Sequence, residues 1–189
     1  MNGVLCRVAA SFNKCFQRTV FFTTAFVLFN TNISTRKLPL KQALDCDGGF
    51  VKAEEKITIQ ASIDVVWQTL TDIDSWPRWQ NAVTKASLKG PLLPNATFMW
   101  TSGGMKISSK IHRLSAPVSI QWMGQTVGTK ADHLWSLEST KTGTIVTTVE
   151  SMEGWLVSLL ELFNKNFLIN SLRQTLTELK VESERRHAV

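Results

Sequence analysis

The hydrophobic pattern changes period several times between residue 56 and the C-terminus. The run KITIQA (56–61) puts an apolar side chain at every second position, the signature of a half-buried strand. Ile63, Val66, Trp67 and Leu70 then recur at helical spacing, and Ser62 stands where an N-cap hydroxyl is needed, so 62–70 is predicted as a helix. A second short helix is predicted over 74–81, with Ser75 as cap and Pro77 in the first turn, where a missing N–H costs nothing. Strand-like runs follow near 82–89, 96–101, 105–115, 118–127, 130–139 and 144–152, separated by KGPLLPN, SGG, AP, VGT and KTG. From Gly154 to about Arg186 the period is helical, and Phe163, Phe167, Leu172, Leu176 and Leu179 supply an apolar stripe. Six consecutive strands on short loops must run antiparallel. One long amphipathic helix at the end can cover only one face of such a sheet.

Hairpin turns fix which residues share that face, because opposed residues point to the same side. A turn at Ser102–Met105 sets Trp100 against Ile107 and Phe98 against Ser109. A turn at Ala116–Pro117 sets Ile111 against Trp122 and Arg113 against Ile120. A turn at Gly128–Thr129 sets Trp122 against Trp135 and Gly124 against His133. A turn at Lys141–Thr142 sets Trp135 against Thr148 and His133 against Glu150. The covered face then collects Phe98, Trp100, Ile107, Ile111, Trp122, Trp135, Leu137, Val146 and Thr148, together with the polar Arg113, His133 and Glu150. So aromatic a face must be hidden from water. Rigid indoles beside Gly124, Ser109 and Thr148 suit either a packed core or an uneven, partly open cavity.

Charge separates the chain into two parts. Residues 1–44 carry six basic side chains (Arg7, Lys14, Arg18, Arg36, Lys37, Lys41) and no acid, whereas 45–189 hold 15 of each sign. The net +6 therefore belongs to the leader, and the body has no basic excess of the kind a nucleic-acid surface requires. Within the leader the apolar run VFFTTAFVLF (20–29) is half the length a bilayer span needs, but it suits a signal-peptide core or an acid-free transit peptide, and it is compatible with membrane association. LDCDGGF (44–50) marks the expected boundary between a basic apolar leader or disordered extension, 1–48, and a ligand-binding domain, 49–189. Cys6, Cys15 and Cys46 precede the domain and show no metal-ligand spacing. No Gly-rich phosphate loop follows a strand, so neither a metal nor another cofactor is expected.

The stretch ASIDVVWQTLTDIDSWPRWQNAV (61–83) resembles the opening of the START/Bet v 1-like (SRPBCC) superfamily, in its polyketide cyclase/dehydrase-like branch. LWSLEST and GTIVTTVES resemble that branch's last hairpin before the C-terminal helix. The resemblance covers about residues 54–186 and implies an α+β helix-grip fold. That fold is a seven-stranded curled antiparallel sheet around a long C-terminal helix, with two short helices after the first strand and a deep apolar cavity. It does not imply one reaction, because members bind lipids, hormones, quinones or polyketides and a minority catalyse cyclisation or dehydration. It places the short helices at one end of the cavity, so Trp79 is expected to seal the sheet end and Trp76 to stand nearer the mouth, as a gate or as part of the core.

The expected function is binding of a small hydrophobic ligand (lipid, quinone or polyketide-like). Its expected lining is Trp76, Trp79, Phe98, Trp100, Ile107, Ile111, Arg113, Trp122, Trp135 and Thr148. A cyclase or dehydratase is the alternative. His133 and Glu150 are the one acid–base pair the register brings together, with Cβ atoms close enough for a hydrogen bond. An adaptor with a filled core and an exposed apolar patch is the third reading.

Overall fold

The computed structural model describes residues 49–188, so the expectations for residues 1–48 fall outside the described residues. Seven strands form one antiparallel sheet in the order β1-β7-β6-β5-β4-β3-β2. They are β1 (Gly49–Ile59), β2 (Val83–Lys89), β3 (Thr97–Ser102), β4 (Met105–Ser115), β5 (Ser119–Thr126), β6 (Thr129–Thr140) and β7 (Gly143–Gly154). Helix α1 (Ile63–Thr71) and a 3-10 turn (Ile73–Arg78) join β1 to β2, and helices α2 (Trp155–Phe163) and α3 (Phe167–His187) follow β7.

Local chemistry accounts for several of the boundaries. The Ser62 hydroxyl caps α1 by accepting from the Val65 amide. Pro77 sits inside the 3-10 turn, which ends with the Trp79 amide donating to the Trp76 carbonyl. β1 begins seven residues earlier than its alternating core suggests, because Gly49 through Ile59 pair without interruption with Gly154 through Thr144 of β7.

The C-terminal helix is two helices rather than one. Asn164 is extended (φ −150°, ψ 96°), and its side-chain oxygen accepts from the Asn166 amide, a local bond that competes with the helix. The break strands Phe163, which was expected on the apolar stripe and is 81% exposed. Beyond it the stripe holds: Leu168, Leu172, Leu176 and Leu179 are all buried at steps of three and four. α3 lies along β1 and α1, and its polar flank is tied there. The Glu184 carboxylate accepts from the Gln60 amide at 2.8 Å, and the Glu178 carboxylate from the Asn81 side chain at 2.8 Å.

Two hairpins depart from the predicted register. β4 bulges between Ile111 and Arg113, so Leu114, not Arg113, opposes Ile120. The extra residue turns Arg113 to the outer face opposite Gln121, where it is exposed and removed from the covered face. The β5–β6 turn is tighter than predicted, with Thr126 opposite Thr129. Trp122 therefore opposes His133, and Trp135 opposes Ile120. That slip is two residues, so both tryptophans stay on the covered face. The remaining pairs stand as read, including Trp100–Ile107, Ile111–Trp122, Trp135–Thr148 and His133–Glu150.

If α3 closes the core through this stripe, Leu176→Ala is expected to cost about 2–5 kcal/mol, the range for emptying a well-packed leucine site. Val181→Ala, on the exposed side of the same helix, is expected to change stability by less than about 0.5 kcal/mol. Urea unfolding of the two variants checks both.

Candidate functional site

The covered face carries an aromatic wall. Trp122 on β5 is its centre, edge-on to Phe98 (centroids 5.6 Å apart), tilted against Trp76 (5.9 Å) and stacked on Trp135 (6.5 Å). Trp76 reaches into the wall from the 3-10 turn and meets Phe98 and Trp100 edge-on, each at 5.6 Å. Such edge-to-face contacts add to the area term because the positive ring edge meets a negative face. Trp76 is deeply buried, and its indole N–H donates to the Leu70 carbonyl at 2.9 Å. It is therefore a core element and not a mouth residue, because the turn aims it into the sheet. Trp79 is also buried, but its indole N–H finds no partner. Trp100 donates to the Ser109 hydroxyl at 3.0 Å, which fixes its ring along β3–β4.

Beyond Trp100 and Trp122, toward α2, the wall opens into a groove. Trp100, Ile107, Trp122, Ala131, Met152, Leu156 and Leu160 shape it, with Met105 and the edges of Gly124 and Thr129. Its interior offers only about 60 Å³ to water-sized occupants, and the rest of the concavity is open to solvent. The surface facing that space is almost wholly apolar. Of the residues expected to line a cavity, Trp100, Ile107 and Trp122 border the groove. Trp76, Trp79, Phe98, Ile111, Trp135 and Thr148 are packed behind it, and Arg113 is on the outer face. The sequence reading missed Met105, Ala131, Met152, Leu156 and Leu160. The β6–β7 pairing that joins His133 to Glu150 also joins Ala131 to Met152 one step further along, so parity was the signal available for those two.

Two glycines let α2 start where it does. Gly128 (φ +71°) and Gly154 (φ +131°) occupy backbone regions that side chains rarely adopt. A Cβ at Gly128 would strike the Trp155 indole, and one at Gly154 would strike the Gly128 carbonyl. The turn and the first residue of α2 thus lie in direct contact, and the Leu156 amide donates to the Gly128 carbonyl at 3.2 Å.

His133 and Glu150 sit behind the groove. The imidazole lies 5.0 Å from both Trp122 and Trp135 between ring centres, and its Nε2 shares a hydrogen bond with the Thr148 hydroxyl at 2.7 Å. Its Nδ1 is 3.8 Å from the Glu150 carboxylate, so the hydrogen bond expected from the register is not made. The two side chains are only 11% and 17% exposed. Burial favours the uncharged form of each, lowering His133 to about 3 and raising Glu150 to about 7. Neither residue borders the groove, and no group of three or more metal-ligating side chains occurs among the described residues.

The comparisons with known proteins can be set beside this geometry. A family model described as "Polyketide cyclase / dehydrase and lipid transport" matches residues 51–184. No curated protein matches the chain. Among solved structures, a hypothetical protein of Helicobacter pylori superposes with a TM-score of 0.61 at 18% identity, covering 82% of this chain and 99% of its own. The Zhui aromatase/cyclase of a Streptomyces species gives 0.62 at 12% identity, covering 73% and 96%. The structure titled Ara h 8.0201 gives 0.54 at 11% identity, covering 71% and 98%. At these identities the structural matches establish the fold, a curled seven-stranded sheet with a C-terminal helix of the Bet v 1-like, helix-grip type.

The pair's ionisation gives a pH test. Between about pH 4.5 and 6.5 the unfolded chain holds its proton on His133, and the folded chain holds it on Glu150. The proton count is equal, so the pair contributes no slope to stability in that window. Taken singly, the lowered His133 contributes stability that is present above 6.5 and lost as pH falls toward 3. The raised Glu150 contributes stability that is present below 4.5 and lost as pH rises to about 7. Glu150→Gln removes only the second effect, so its stability relative to wild type should rise by about 1.4 kcal/mol per pH unit across the window. Urea unfolding at about pH 5 and pH 6 measures it, and an unchanged difference would show that Glu150 is ionised in the folded chain across that window.

Proposed function

The chain belongs to the polyketide cyclase/dehydrase and lipid transport family, and on that premise we propose that it binds a small apolar molecule between the Trp100–Trp122 wall and α2 and carries it unaltered. Family and fold together support a hydrophobic-ligand-binding or cyclase role. The carrier reading goes one step further, and the observation that carries it is the groove's lining. Eight apolar side chains from five strands and α2 converge there with almost no polar surface.

Ligand sites commonly enclose about 300–1,000 Å³, far more than the inner part of this groove. One side must therefore move, and α2 is the side built to do so. Its only fully buried residue is Val157, it has no side-chain N-cap, and it is flanked by Gly154 and the extended Asn164. The wall opposite is held by stacked rings and by strands paired on both sides. Outward movement of α2 would enlarge the groove without disturbing the sheet.

A cyclase or dehydratase needs an acid or base in reach of the bound substrate. The observation favouring that second reading is Glu150, raised to about 7 and so able to give or take a proton near neutrality. Against it, His133 is committed to Thr148, is a weak base when lowered to about 3, and lies behind Trp122.

Titrating the full chain with cis-parinaric acid, an apolar fluorophore, is expected to quench tryptophan emission saturably at micromolar concentration. Ala131→Phe, which fills the groove, should weaken that binding by about tenfold or more, the effect of losing about 1.4 kcal/mol. Glu150→Gln should leave it within about threefold. Absence of saturable binding by wild type would overturn the ligand reading and leave the adaptor reading.

A further inference from the structure

The sequence of α2, WLVSLLELF, contains seven apolar residues in nine, more than its packing uses. Leu156 and Leu160 border the groove and Val157 is buried. At 100° per residue, Trp155, Leu159, Leu162 and Phe163 fall on one adjoining stripe of the same helix. Trp155, Leu162 and Phe163 are 55%, 58% and 81% exposed, and Val127, in the turn that abuts Trp155, is 79% exposed. An apolar patch that continues the lining of a groove out to solvent is not an ordinary surface of a monomer.

The described chain fixes what lies beside this patch. The Gly49 amide donates to the Ser158 hydroxyl at 2.7 Å, so the described chain begins against α2 itself, and the sequence 1–48 is attached at that point. That segment carries six basic residues and no acid in its first 44, and it includes the apolar run VFFTTAFVLF. An exposed Trp/Leu/Phe stripe and a groove mouth thus lie at the end of the molecule to which a basic, apolar stretch of sequence is attached. A bilayer with anionic headgroups complements all three. Aromatic and aliphatic side chains enter the acyl boundary, and basic side chains are drawn to the negative surface. A protein partner could satisfy the stripe, but α2 offers it little polar recognition, since its one charged residue is Glu161.

We propose that α2 is a membrane-docking helix that lays its Trp155–Phe163 stripe on an anionic lipid surface and so presents the groove mouth to the acyl region. The docking is interfacial, since no helix among the described residues is long and apolar enough to cross a membrane. The proposal rests on the ligand-binding reading for its purpose but not for its test.

The test is co-sedimentation of the full chain with phosphatidylcholine–phosphatidylserine vesicles. Wild type should bind them, and should bind vesicles of phosphatidylcholine alone distinctly less. Leu162→Ser/Phe163→Ser removes two exposed side chains without touching the core, and should weaken vesicle binding by about tenfold or more. Met99→Ser/Met123→Ser removes comparable exposed side chains from the outer face of the sheet, and should leave binding unchanged. Without vesicles, Leu162→Ser/Phe163→Ser should keep its affinity for cis-parinaric acid, because neither residue lines the groove. Wild type that ignores anionic vesicles, or an α2 variant that binds them like wild type, overturns the proposal. So does an α2 variant whose measured loss is of self-association in sedimentation velocity, which would assign the stripe to a second copy of the chain. A wild type that docks on vesicles but takes up no fluorophore leaves docking standing and overturns the ligand reading alone.

Discussion

Trp76 donates its buried indole N–H to the Leu70 carbonyl, and the depth of the interior follows from that bond. The bond ties the 3-10 turn to the end of α1 and holds the ring edge-on against Phe98 and Trp100. With that indole in place, the half of the sheet nearest the turn is filled. What space remains is displaced along Trp122 toward the β5–β6 turn and α2. An indole here is large enough to plug a cavity, and pairing its N–H spares the cost of a dry, unpartnered donor. Leu70, the last apolar position of the amphipathic helix, supplies the carbonyl. The WPRW stretch thus sets where the open part of the molecule lies by filling the other part.

The two walls of that open part are held by different means. On one side are stacked and edge-on rings on strands paired to both neighbours, a surface that cannot shift without breaking the sheet. On the other is a nine-residue helix with one fully buried side chain, anchored by the Gly128 and Ser158 contacts at its beginning and released at Asn164. The firmly held wall and the lightly held one are thus different elements.

Much of this was legible in the sequence. The strand and helix order came from period changes, and the inward set came from parity. Phe98, Trp100, Ile107, Ile111, Trp122, Trp135 and Thr148 all face the covered side because register errors of two residues preserve it. Arg113 was misplaced because a bulge changes parity by one, and His112 carries no sign that it will be the extra residue. Whether Trp76 gates or fills stays open in the sequence because spacing gives the side of a short helix and not the direction in which its turn is aimed. The split between α2 and α3 was missed because Phe163 and Phe167 keep helical spacing across a three-residue break. The groove was hidden because its lining combines strand parity at Ala131 and Met152 with helix positions at Leu156 and Leu160, and only the folded chain brings the two periods together. The separation of His133 from Glu150 lay below what register can resolve. A cross-strand pair fixes Cβ atoms, and the Thr148 hydroxyl then takes the ring.

The central claim is that α2 is the movable wall of an apolar binding groove. Hydrogen exchange of the full chain, read by peptide mass spectrometry with and without saturating cis-parinaric acid, addresses it directly. Amides of 156–163 should exchange far faster than those of 172–183 in the free protein and become protected when the fluorophore is bound, while the strands change little. Exchange in 156–163 as slow as in 172–183, with no change on adding the fluorophore, would contradict it.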